Sequence, residues 1–113
     1  MRRAQSQSIS SDNWILDRGA LSHITGKESL FISKIKKVTG RSVQISKGKL
    51  QIAGISSARM RTLSRAQAIL RNVLYIPDLE ANLLSGSQMA ANGLKGSWDE
   101  ISMKMRNNEG IIV

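Results

Sequence analysis

Short apolar runs of period two, separated by turn residues, set the main limit on what this chain can fold into. Ser42-Val43-Gln44-Ile45-Ser46 alternates strictly, Lys47-Gly48-Lys49 has the composition of a hairpin turn, and Leu50 to Ile55 alternates again. Successive side chains of a strand lie on opposite faces, so each run can bury its apolar face only by joining a sheet. Further strand candidates are Asn13 to Asp17, Leu30 to Ser33, Arg59 to Leu63, Ala68 to Ile76, Ile101 to Met105 and Ile111 to Val113. One segment departs from the pattern. Ser85-Gly86-Ser87 precedes Gln88-Met89-Ala90-Ala91-Asn92 and Gly93, which reads as one short helix between serine caps and a terminal glycine. Residues 1–12 are rich in Ser and Gln and poor in apolar side chains, a disordered lead-in to a single domain over 13–113. Many short strands with one helix imply an all-β fold, a small barrel closed to protect its edges.

At 113 residues the chain can bury one modest core. It has no cysteine, which excludes disulfides, thiolate zinc sites and a cysteine nucleophile and suits a reducing compartment. No apolar run reaches membrane-spanning length, and the polar Met1-Arg2-Arg3-Ala4-Gln5-Ser6 start does not resemble a secretory signal. The expected setting is therefore intracellular, cytoplasmic or nuclear, with no membrane contact. Net charge is +9, and ten basic residues fall between Lys34 and Arg71 with no acid among them. Such a stripe makes nucleic acid or an acidic protein a candidate partner through residues 34–71. The window holds no aromatic to stack a base, so a solvated sheet face is the preferred reading of it.

The chemistry concentrates in Trp14-Ile15-Leu16-Asp17-Arg18-Gly19-Ala20. A carboxylate follows an apolar run at a strand end, and a glycine two positions on lets the backbone turn tightly. His23 is the only histidine and lacks companions for a zinc site, so neither a metal nor a cofactor is expected, and a structural hydrogen bond suits it better than catalysis. Asp78 with Glu80 and Asp99 with Glu100 read as solvated surface charge, and Leu83 and Leu84 as core.

Three blocks together resemble the protease domain of copia-type retrotransposon Pol polyproteins, a retropepsin-like β-barrel. The first is Trp14-Ile15-Leu16-Asp17-Arg18-Gly19-Ala20-Leu21-Ser22-His23-Ile24-Thr25-Gly26, the second Asn72-Val73-Leu74-Tyr75-Ile76-Pro77-Asp78-Leu79, and the third Asn82-Leu83-Leu84-Ser85 with Gln88-Met89. The resemblance implies an aspartic endopeptidase that hydrolyses a polyprotein, with Asp17 catalytic and Arg18, Gly19 and Ala20 shaping its loop. It also implies a homodimer, in which two aspartates share a proton around a lytic water. The residues agree on that point: Asp12, Asp78 and Asp99 have no glycine two positions on, so one chain supplies only one such loop.

Two departures bear on activity. In the family it resembles, Ser or Thr follows the aspartate, and the resemblance implies that this hydroxyl clamps the two loops across the dimer. Arg18 is long, always charged and has no acceptor. Two copies near a two-fold axis would favour both carboxylates ionised or leave the clamp missing, so impaired or lost catalysis is expected. The other departure lies in Gly54, Ile55 and Ser56, the candidate flap, where the family tends to Gly-x-Gly and the loss of one glycine would stiffen a lid. The alternative is a non-enzymatic β-barrel that binds nucleic acid or acidic protein through its basic face.

Overall fold

A computed structural model describes residues 12–17, 19–45, 48–63, 65, 67–92 and 112–113. Its elements are β1 (Trp14–Asp17), β2 (Ile24–Thr25), a 3-10 turn at Glu28–Leu30, β3 (Lys36–Lys37), β4 (Ser42–Ile45), β5 (Gly48–Gln51), β6 (Gly54–Arg61), β7 (Gln67–Tyr75), β8 (Asn82–Ser85) and α1 (Gly86–Asn92). Six strands join in the order β1-β8-β2-β7-β6-β3, while β4 and β5 form a separate two-stranded hairpin. β1 runs parallel to β8 and β2 parallel to β7, and the other pairs are antiparallel.

The mostly-β architecture with one short helix follows the alternation, but the sheet is not the closed barrel expected. Among the described residues β1 and β3 are its two ends and do not pair with each other. The outer edge of β1 is covered instead by the chain end, where Ile112 bridges Ile15 and Val113 N–H donates to Trp14 C=O at 3.0 Å. That edge protection removes one reason for closure.

Period two divides the interior between the two faces of the sheet. Trp14 and Leu16 of β1, Met60 of β6, Leu70 and Val73 of β7, Leu84 of β8 and Met89 of α1 form one buried cluster. Ile52, Leu74 and Ile76 centre a second, onto which Val43 and Leu50 of the hairpin pack. Leu84 is thus core as expected, whereas its neighbour Leu83 is half-buried on the other face.

Two segments differ from their expected form. The run Leu50 to Ile55 is not one strand. Ile52 N–H donates to Arg41 C=O at 2.9 Å, within the hairpin, and Ala53 N–H donates to Tyr75 C=O at 2.8 Å, within the large sheet. The chain changes sheets between these two residues. Leu30 to Ser33 is the end of the 3-10 turn followed by a single bridge from Phe31 to Ala58. The expected strand at Ile101 to Met105 lies outside the described residues.

β7 carries a bulge opposite the Ser56–Ala58 stretch of β6, and Asn72 takes φ +57° there. Asparagine tolerates the left-handed region far better than a branched residue does. Gly26 has a different reason to lack a side chain: a Cβ would meet the carbonyl oxygens of Ile76 and Leu79. These belong to a turn closed by Leu79 N–H to Ile76 C=O at 3.0 Å, so the first and second sequence blocks meet at Gly26.

Candidate active site

β1 delivers Asp17 to the end of a strand whose alternate residues Trp14 and Leu16 are buried, so Ile15 and Asp17 point to the opposite face. Asp17 Oδ1 accepts the Gly19 N–H at 2.9 Å, a turn in which the carboxylate is held by its own loop. Ala20 N–H lies 3.4 Å from Asp17 C=O and begins the return of the chain. A Cβ at Gly19 would stand 3.4 Å from Asp17 Oδ1, ordinary contact, so the glycine is not imposed by space within one subunit. Arg18 lies outside the described residues.

The carboxylate opens into a groove of about 540 Å³. Asp17 and Gly19 line it from the loop, Ile24, Leu74 and Leu83 from the large sheet, here called its floor, and Val43 and Gln44 from the hairpin, here called its roof. The roof therefore belongs to the β4–β5 hairpin, held across by Gln44 Nε2 donating to Gly48 C=O at 3.1 Å. Gly54, Ile55 and Ser56, expected as the flap, are placed elsewhere. They lie in β6, with Gly54 and Ile55 paired to β7 on one side and to β3 on the other. A Cβ on Gly54 would collide with the Ile35 side chain and come within 3.0 Å of Lys36 C=O. Close packing of β3 accounts for that glycine without any lid motion.

Behind the loop, Ser85 ties three elements together. It pairs with Asp17 in the parallel β1–β8 register. Its Oγ donates to Ala20 C=O at 2.7 Å and accepts the Gln88 N–H at 3.2 Å, which caps α1. Its own N–H donates to His23 Nδ1 at 3.0 Å, leaving the ring proton on Nε2. His23 is buried, and desolvation lowers its pKa from 6.5 to about 4, so the ring is neutral. A neutral ring spent as an acceptor orients the loop and is not placed to move protons.

One layer deeper, Thr25 Oγ1 donates to Asn82 Oδ1 at 2.5 Å and Asn82 Nδ2 donates to Asn13 C=O at 2.9 Å. Lys27 N–H donates to Thr25 Oγ1 at 3.1 Å. Buried polar groups of this kind specify one arrangement of β1, β2 and β8 because an unpaired member is costly. The Ser85, Asn82 and Thr25 side-chain roles escape period reasoning. Their only local signal is a polar residue inside an otherwise apolar strand.

Residues 14–94, most of the described domain, match the family described as Pol polyprotein, beta-barrel domain. The chain belongs to that family. It is 31% identical over 105 residues to the retrovirus-related Pol polyprotein from transposon RE1 of Arabidopsis thaliana, covering 90% of this chain and 7% of the relative. It is 27% identical over 100 residues to the corresponding polyprotein from transposon TNT 1-94 of Nicotiana tabacum, covering 88% of this chain and 7% of the relative. The chain thus spans a small part of the polyproteins it matches. No solved structure matches it. Within this Pol β-barrel domain the three sequence blocks are also a spatial unit: the Asp17 loop, the turn against Gly26 and the Ser85 junction adjoin one another.

Proposed function

We propose that this domain is a retrotransposon-derived aspartic endopeptidase domain of the copia type, with Asp17 its catalytic carboxylate and Arg18 a substitution that impairs it. The observation that carries the reading is Asp17 itself: a carboxylate at a strand end, held by the Gly19 N–H and facing a groove roofed by a hairpin. An extended peptide of polyprotein origin suits a groove with an apolar floor and backbone edges. One chain supplies one carboxylate, so a second copy must bring the other. Two such groups cannot both ionise at close range. One then takes a proton from water while the other gives one to the peptide carbonyl. The roof in this reading is Val43 and Gln44 of β4, in place of Gly54 to Ser56.

Arg18 acts against both requirements. A guanidinium turned toward the carboxylates would stabilise the doubly ionised state, and one turned to solvent would leave the clamp between loops missing, since it offers no acceptor. Native protein is expected to assemble and cleave poorly. Replacing Arg18→Ser is expected to raise both dimer content, read by light scattering, and cleavage of a polyprotein-derived peptide. Asp17→Asn in that background should abolish cleavage and leave assembly intact. An Arg18→Ser protein that dimerises without cleaving, or cleavage that survives Asp17→Asn, would sink the proposal.

A further inference from the structure

We infer that the outer face of the β6–β7 ribbon is a docking surface for a nucleic-acid backbone, separate from the Asp17 groove. Arg59 and Arg61 alternate with buried Ala58 and Met60, so both project from the side of β6 away from the core. Their cross-strand partners are Ile69 and Gln67, and Arg71 follows two positions after Ile69 on the same strand. All three arginines are exposed, and neither strand carries a carboxylate.

Arrangement separates this face from an ordinary solvated one. Solvated faces usually intersperse both signs of charge, which relieves self-repulsion. Here none of Arg59, Arg61 and Arg71 has a carboxylate partner among the described residues. Asp12 lines a hollow with Arg59 and Arg61, but its carboxylate is engaged by Lys27 Nζ at 2.5 Å. Arg59 and Arg61 stand two residues apart, roughly 6.7 Å along the strand. That spacing is comparable to consecutive phosphates of one nucleic-acid strand. Ile69 is 55% exposed and Ile32 46%, and they line a shallow hollow with Arg59 and Gln67. Apolar side chains between planar guanidiniums suit the sugar face of a strand as well as its phosphates. No aromatic stands on the ribbon, so the contact is to backbone and carries little sequence preference.

The experiment is a salt titration of binding to a labelled mixed-sequence 20-nucleotide RNA, using the full chain. The double variant Arg59→Ser/Arg61→Ser is compared with Arg41→Ser/Lys49→Ser, which removes the same charge from the hairpin sheet. The logarithmic salt slope should fall by about 1.4 in the first and stay unchanged in the second. Arg59→Lys/Arg61→Lys should keep the native slope, and thermal melts should show all variants folded, because every replaced residue is exposed. Asp17→Asn should bind like the native chain, which keeps the outcome independent of any protease activity. Equal losses in the two double variants would reduce the effect to net charge and overturn the inference. So would binding of poly-glutamate as tight as binding of RNA, which would make an acidic protein the partner.

Discussion

The floor and the roof of the Asp17 groove are built on different physics. The floor is backed by β1, β8 and β2, whose opposite face buries Leu16 and Leu84 and whose neighbourhood ties His23, Thr25, Asn82 and Ser85 into hydrogen bonds. The roof is a two-stranded hairpin whose Ser42, Gln44 and Lys49 are exposed and whose Val43 and Leu50 are only partly covered. Two strands alone are marginal in water, so this hairpin depends on its contacts with Ile52, Leu74 and Ile76. The contrast teaches that the groove is a fixed carboxylate beneath a weakly held cover. Local opening should therefore begin at the roof.

Mutations can break that comparison. Leu84→Ala removes a buried side chain from the core cluster that backs the floor strands and should cost about 2–5 kcal/mol in chemical denaturation. Val43→Ala in the roof should cost less than about 1 kcal/mol, because only part of its surface is covered. Equal costs would mean that the roof is as tightly built as the floor.

Gly26→Ala tests the contact between the first and second sequence blocks. Its new methyl has backbone carbonyls of Ile76 and Leu79 to meet, which cannot rotate away as a side chain would. A loss of about 3 kcal/mol is expected, seen as a lowered melting temperature. A neutral result would show that the turn at 76–79 moves freely.

The floor should also be the acid-sensitive part. Unfolded His23 binds a proton below its ordinary 6.5, whereas the folded ring stays neutral down to about 4. The unfolded chain holds more protons across that window. Stability is thus fully present above 6.5 and lost as pH falls toward 4, by at most about 3 kcal/mol. His23→Gln, which keeps an acceptor for Ser85 N–H, should flatten this part of the pH dependence. An unchanged slope would remove His23 as its source.

The smallest expected effect lies on β7, which joins the floor strand β2 to the rest of the sheet. Asn72→Val forces a branched residue into φ +57° and should cost about 1–2 kcal/mol, while Asn72→Gly should be nearly neutral. Similar costs for both would show that the Asn72 side chain, and not its backbone, holds the bulge.

Much of this is legible in the sequence. Alternation marked β1, β4, β7 and the hairpin, divided β6 between two separate candidates, and the serine before Gly86 marked the start of α1. Asp17 with Gly19 was readable because an acid-x-glycine turn is local. The placement of Gly54 to Ser56 inside β6 was not, since a glycine in a flexible lid and a glycine packed against a neighbouring strand look alike in one dimension. Only the approach of Ile35 and Lys36 separates them. The break between Ile52 and Ala53 was hidden for a similar reason: unbroken alternation says nothing of which partner each residue bonds.

By itself, then, the sequence determined the strand period, the turn positions, the family and the single carboxylate loop, all properties of neighbours along the chain. Tertiary structure alone decided which hairpin roofs the groove, how Ser85 and His23 fix the loop, and where the arginines gather. Each of those depends on contacts between residues far apart in the chain, and a local pattern cannot choose among several equally suitable distant partners.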